Sequence, residues 1–259
     1  MRAPSFRTRP AVRGFDRSAE AYERGRPLYP ASAARYLARA LRLGPRRTVV
    51  ELGSGTGKFT RSLVPLGCAL VAVEPTAGMR RVFARELPDV VVLPGTAEAI
   101  PLPDALADAV VAAQSFQWFR HRAALKEIAR ILRPGGGLGL VWNVRDESVR
   151  WMKEVSRILD RHGRDSVSRE RRWKAAFRLR NLPFSPLASR CFSHVQRATP
   201  ARVLDRFLSV SSIAVLPAPE RGEVANEIRQ LLETDSATRG RSIVELPYST
   251  EVYWARLRS

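Results

Sequence analysis

The sequence predicts a single α/β domain, and three observations carry that expectation. Thr48–Leu52 is a β-branched, apolar run with the composition of a buried strand. It feeds directly into Gly-Ser-Gly-Thr-Gly at Gly53–Gly57, after which Lys58–Leu66 is expected to be helical. A second short apolar run, Ala69–Glu74, ends in an acid followed by Pro75, and strand-like and helix-like segments then keep alternating. A chain of 259 residues fits one large domain, or a domain with an insertion.

The glycine turn is the informative element. Glycine is needed where the backbone takes positive φ and where a ligand must come close. The helix start beyond it offers unpaired N–H groups to an anionic part of that ligand. The spacing is G-x-G-x-G. A dinucleotide fingerprint would place its third glycine one residue later, where Lys58 stands. A phosphate-binding loop would need four residues between glycines and a Lys-Ser/Thr pair, and neither is present.

Acid-x-Gly-x-Gly-x-Gly, Glu51 to Gly57, resembles the first motif of the class I methyltransferases that use S-adenosylmethionine (SAM). The resemblance implies a Rossmann-like α/β fold, a seven-stranded, mostly parallel sheet with an antiparallel last strand and a helical lid insertion. It implies SAM as cofactor, with Glu51, Gly53, Ser54, Gly55 and Gly57 around its methionyl part. Glu74, with Pro75 after it, stands where that family holds the ribose, a job a carboxylate can do by accepting both hydroxyls. Thr96, Ala97 and Glu98 fall in the loop that lies against the adenine in the family, and Gln114, which opens the segment after the fourth strand, is expected among the cofactor-binding residues.

Ahead of the first strand, Met1–Arg13 is arginine-rich, free of acids and broken by prolines, the composition of a short basic disordered tail or a targeting segment. Gly14–Pro30 is expected to form a short helix capped by Asp16 or Ser18, then an extended crossing enforced by Pro27 and Pro30. It is similar to the N-terminal flap of small-molecule methyltransferases. Tyr22, Arg26 and Tyr29 are therefore candidates to close over SAM or the acceptor, or else to pack the flap down. Ala31–Leu43 reads as a helix with Leu37, Ala40 and Leu41 on its apolar face, ended by Gly44-Pro45.

Beyond the second strand, Met79, Val82, Phe83 and Leu87 recur at helical spacing. Asp89–Leu93 is a third strand and Ala107–Ala113 a fourth. Gln114-Ser115-Phe116-Gln117-Trp118-Phe119 follows it. Enzymes that methylate base amino groups carry an acid or Asn with Pro-Pro-aromatic at this place, and this chain does not. The run is similar instead to the corresponding segment of the trans-aconitate methyltransferase-like small-molecule group. Phe116 and Trp118 are candidates for an apolar acceptor pocket, or for packing beneath it.

Arg122–Leu132 is an amphipathic helix, and Arg133–Gly137 a sharp turn into a fifth strand, Leu138–Asn143. Val149–His162 is helical. Arg169–Arg180 interleaves basic residues with Trp173 and Phe177, a pattern suited either to single-stranded nucleic acid or to a helix with one apolar stripe. Ala188–Arg197 is the sixth strand. Thr199-Pro200 opens a helix to Leu208, Val224–Leu232 marks another, and Ser249–Leu257 is the last strand. Residues 14–259 are thus read as one methyltransferase domain, with 149–233 as the lid that sets acceptor specificity.

The net charge of +19 is the unusual number. It suits nucleic acid as a partner, or an arginine-rich solvated surface, and its even scatter along the chain favours the surface. Cys68 and Cys191 lack zinc-ligand spacing, which fits a reducing cytoplasm and no metal. No apolar run reaches the roughly 20 residues of a membrane span. Tyr22, Tyr29 and His121 are possible bases, but none has diagnostic spacing, so no catalytic residue is assigned. The expected partner is a small-molecule methyl acceptor.

Overall fold

The computed structural model describes residues 19–163, 173–178 and 182–258. The basic tail, the cap candidates Asp16 and Ser18 and part of the basic stretch 169–180 lie outside them.

The strands are β1 (Thr48–Leu52), β2 (Ala69–Val73), β3 (Val91–Leu93), β4 (Ala107–Ala113), β5 (Leu132–Arg145), β6 (Ala188–Ala198) and β7 (Val244–Arg256). They form one seven-stranded sheet in the order β3-β2-β1-β4-β5-β7-β6. β1 through β5 pair in parallel, and the last strand runs antiparallel. This is the expected Rossmann-like methyltransferase architecture. The helices are α1 (Ala19–Gly25), α2 (Ala31–Leu41), α3 (Thr60–Leu63), α4 (Ala77–Glu86), α5 (His121–Ile131), α6 (Arg150–His162), α7 (Pro200–Leu208), α8 (Ser211–Ala214) and α9 (Ala218–Thr234).

The chain divides into two compact units. One takes its residues from 29–143, 169–192 and 250–259. It holds β1–β4 whole, and every residue of β4 is buried, as an apolar strand covered on both faces should be. One apolar cluster gathers Val50, Leu52, Val110, Leu125, Ile128, Leu138 and Leu140, and another gathers Leu37, Leu41, Val49, Phe59, Leu63 and Val252. The parallel ladder runs past the strand ends: Gly53 N donates to Val73 O at 2.8 Å, Glu74 N to Leu93 O at 3.0 Å and Gln114 N to Val141 O at 2.9 Å. The carboxyl ends of β1, β2 and β4 are thereby held in step, the edge at which open α/β sheets bind ligands.

The other unit takes its residues from 1–28, 144–168 and 193–249. Its core joins Trp151, Met152, Val155 and Leu159 of α6 to Val203 and Phe207 of α7, Val224 and Ile228 of α9, and Val244, Leu246 and Tyr248 of β7.

Several boundaries differ from the sequence reading. α2 stops at Leu41, with Arg42 in the left-handed conformation at φ 58°, before Gly44 is reached. Ala40 is only half-buried on that helix. The helix after the glycine turn is short, and Pro65 sits in a 3-10 turn, Val64–Leu66, that finishes it. The β4–β5 ladder begins at Ala107–Leu132 and resumes at Ala109–Gly137, so of the expected turn at Arg133–Gly137 the first four residues are looped out within the strand and Gly137 is already paired. β7 starts at Val244, five residues before the expected Ser249, because Val244, Leu246 and Tyr248 alternate into the core despite Pro247.

Candidate functional site

Glu51 is the last but one residue of β1, and its carboxylate accepts the hydroxyl of Thr60 at the start of α3. No cation pairs with it among the described residues, and burial pushes its pKa up to about 8. The Thr60 bond opposes that shift, and the nearby charge of Glu74 adds to it. Glu74 follows β2 and is likewise buried. One of its oxygens accepts the Gly55 N–H at 2.9 Å; the other accepts the Thr76 N–H at 2.9 Å and the Thr76 hydroxyl. Burial again raises its pKa, against the bonds from Thr76 and Gly55 and the charge of Arg80. Pro75 between Glu74 and Thr76 is half-buried.

Gly53, Gly55 and Gly57 all have positive φ, at 64°, 57° and 84°. The first and third are also crowded. A side chain at Gly53 would begin 2.7 Å from Ser115 Cβ, and one at Gly57 would begin 2.6 Å from Leu87 Cδ1. Ser115 itself donates from its hydroxyl to Leu52 O at 2.8 Å, locking the end of β4 to the end of β1. Within the turn the hydroxyls of Ser54 and Thr56 are buried with no hydrogen-bond partner among the described residues. Buried orphans of this kind call for an explanation. A polar ligand held in the turn, flanked by two acids, is the chemistry they fit, and SAM's amino acid and ribose parts match that donor and acceptor set.

The other candidates are distributed as follows. Thr96 and Ala99 form an isolated bridge, with Ala97 buried between them, while Glu98 accepts the Arg120 N–H at 2.6 Å. Gln114 has φ 53°, a conformation that costs a non-glycine residue free energy. It is held there by the bond from its own amide to Val141 O and by its side-chain amide, which donates to Asn143 O at 2.8 Å. Phe116 is fully buried, stacked on His121 at 4.9 Å and edged by Phe119 and Trp173, so its ring packs the core. Trp118 is half-buried in the adjoining 3-10 turn. Tyr29 packs edge-on to Phe59 at 5.0 Å, next to Lys58 of the turn. Tyr22 and Arg26 belong to the other unit, where the Arg26 guanidinium lies over the Tyr22 ring at 4.9 Å and donates to Ser209 O at 3.0 Å.

His121 hydrogen-bonds through Nε2 to Phe116 O at 3.2 Å, and burial lowers its pKa. Trp173 is only 3% exposed and stacks on Trp142 at 4.2 Å. Its face is therefore committed to the core, the apolar-stripe alternative rather than the nucleic-acid platform. Thr60, Thr76, Ser115 and Thr56 escaped the sequence reading. Thr76, two residues beyond the acid, carried a local signal; the others did not. Among the described residues no group of three or more His, Cys, Asp or Glu side chains could hold a metal, and no helix is long and apolar enough to cross a membrane.

Residues 50–140 match the family model of a methyltransferase domain. The chain is 40% identical over 239 residues to the uncharacterised methyltransferase Rv3342 of Mycobacterium tuberculosis, covering 91% of this chain and 92% of that protein. It is 35% identical over 130 residues to the demethylmenaquinone methyltransferase of the same species (strain H37Ra), covering 48% of this chain and 54% of that one. Among solved structures, one assigned as a type II methyltransferase from Anaeromyxobacter dehalogenans shares the fold, with a TM-score of 0.64 at 24% identity over 90% of this chain and 97% of that one. With the glycine turn, its two buried acids and this sheet order, the chain belongs to the class I SAM-dependent methyltransferases.

Proposed function

We propose that this chain methylates a small-molecule acceptor. The observation that carries the reading is the Gln114–Phe119 segment at the carboxyl end of β4. It holds no acid or Asn with Pro-Pro-aromatic, the set that grips a base amino group, and supplies glutamine and aromatic side chains in its place. The demethylmenaquinone methyltransferase similarity supports the same class of acceptor. The burial of Trp173 removes the aromatic platform that would have favoured nucleic acid.

When bound, SAM supplies an activated sulfonium methyl. The protein's work is to bind, orient and exclude water. Glu74 is assigned the ribose hydroxyls and Glu51 the vicinity of the amino group, with Ser54 and Thr56 as further polar contacts. Gly53 and Gly55 leave the backbone open to close approach. Because Glu98 is already engaged by Arg120, the backbone of Thr96 and Ala97 is left to read the adenine edge. Gln114 is assigned to SAM, and Trp118 and Tyr29 to the acceptor side. In the other unit, Tyr22, Arg26 and the 149–233 region are put forward as residues whose replacement alters acceptor choice. Holding acceptor and methyl in line supplies much of the acceleration in such transfers. No general base is assigned; His121 Nε2 is spent on Phe116 O.

The test uses SAM labelled on its methyl group with purified protein and a cell extract, followed by separation into small-molecule, nucleic-acid and protein pools. Label in the small-molecule pool is expected. Label in nucleic acid would overturn the reading and make the +19 charge a docking device.

A further inference from the structure

The unit built on α6, α7 and α9 contains a buried cation with no neutralising partner among the described residues. Arg206 on α7 is only 3% exposed. Its Nε donates to the hydroxyl oxygen of Tyr248 at 3.0 Å. Its Nη1 is buried and has no hydrogen-bond partner, and no carboxylate pairs with it among the described residues. The guanidinium is flanked by aromatic faces, with its central carbon 5.5 Å from the Phe207 ring and 5.7 Å from the Tyr248 ring.

An arginine cannot escape this by giving up its proton. A buried charge without a counter-ion, carrying unsatisfied N–H donors, is among the most costly arrangements a core can hold. Cation–π contacts recover only part of that cost. A structural strut would place its donors on backbone carbonyls, and the Nη1 edge reaches none.

Tyr248 repeats the pattern. Its oxygen is used as an acceptor from Arg206, and its own O–H proton reaches no acceptor among the described residues. On its other side the ring stacks against His194 of β6 at 5.5 Å. Gln196 lies two residues on, on the same face of that strand, and its buried Oε1 is also unpartnered. Arg206 and Tyr248 therefore present two joined donors that are hydrogen-bonded to no acceptor among the described residues. Such a set is a receptor for an oxyanion. The planar guanidinium edge, with a hydroxyl beside it, matches a carboxylate.

We propose that Arg206 and Tyr248 form a binding site for a small-molecule carboxylate, lying wholly within this unit. The carboxylate takes the free Nη1 N–H and the Tyr248 O–H, so the buried charge is neutralised only in the complex. That edge is shut off from water in this conformation, so the covering groups must part for a ligand to enter. The site uses none of the residues assigned to SAM and is tested without it.

The experiment is thermal denaturation and calorimetric titration of the full chain with acetate, benzoate and succinate. Chloride at matched ionic strength is the control, and inorganic phosphate the competing oxyanion. The expected result is saturable stabilisation by at least one carboxylate and none by chloride. Tyr248→Phe keeps the ring and should weaken binding by about tenfold, the value of one hydrogen bond to a charged acceptor. Arg206→Met should abolish saturation, and Arg206→Lys, which keeps the charge but loses the fork, should bind more weakly than the parent. No saturable carboxylate effect, or an effect of equal size in Arg206→Met and Tyr248→Phe, would overturn the proposal. A response to phosphate alone that depends on Arg206 would overturn the carboxylate assignment. SAM affinity in the same variants separates this result from the methyltransferase reading, since it should stay unchanged.

Discussion

The carboxylate of Glu74 accepts the Gly55 N–H at 2.9 Å, tying the end of the second strand to the apex of the turn after the first. The acid thus supports the shape of the glycine turn in addition to the ligand role proposed for it.

Glu74→Ala should weaken SAM binding by about 2–4 kcal/mol, the value of two hydrogen bonds to a charged acceptor. Isothermal titration is the check. Glu74→Gln, which keeps one acceptor oxygen, should fall between the two. An affinity equal to the parent's in Glu74→Ala would remove Glu74 from the binding site.

Glu51 makes stability depend on pH in a defined direction. Its pKa rises from 4.5 to about 8 on folding, so the folded state holds a proton that the unfolded chain has released. The contribution is fully present below about pH 4.5, declines as pH rises, and is gone once pH passes about 8. Glu51→Gln cannot lose a proton. The stability of Glu51→Gln relative to the parent should therefore increase between those limits and level off above them. Chemical denaturation at a series of pH values, without SAM, measures this; a difference independent of pH would contradict it.

Gly57→Ala combines a φ of 84° with a new Cβ set 2.6 Å from Leu87 Cδ1. We expect a loss of about 1–3 kcal/mol in denaturant unfolding, from backbone strain and overpacking together. Leu87→Ala in the same chain should recover only the Leu87 share of the packing loss, because Phe83 Cδ2 stands 2.9 Å from the same Cβ, and should leave the strain.

Trp173 stacks on Trp142 with the rings 13° from parallel and meets Tyr253 edge-on at 5.0 Å. Trp173→Ala should cost about 3–5 kcal/mol of stability, as for a large aromatic removed from a core. The same variant should leave any association with single-stranded RNA unchanged. RNA binding lost without a loss of stability would mean that the ring is a surface platform after all.

What was legible in the sequence is what short-range pattern encodes. Thr48–Leu52 and Ala107–Ala113 are apolar enough to be strands in any setting, and alternating glycines before a helix admit few conformations. Two acids at strand ends, at fixed distance from that turn, mark the side of the sheet proposed for the cofactor. Local rules failed where a neighbour distant in sequence decided the outcome. Pro247 reads as a strand breaker, yet β7 runs through it because Val244, Leu246 and Tyr248 find a core to enter. Gln114 is an unremarkable residue in sequence, and only the bonds to Val141 and Asn143 hold it at positive φ.

Local pattern is enough for the strand–turn–helix core, the family and the two acids, because those depend on periodicity and on chemistry within a few residues. Tertiary structure alone decided which polar groups are buried and with whom. Arginine is read as solvated unless something shows otherwise, and nothing near Arg206 in sequence announces Tyr248 as its partner. Whether Trp173 meets nucleic acid or Trp142 turns equally on burial. Burial is a property of the packed chain: the free energy of a charge or a ring is set by what surrounds it, and those surroundings come from strands and helices far away along the sequence.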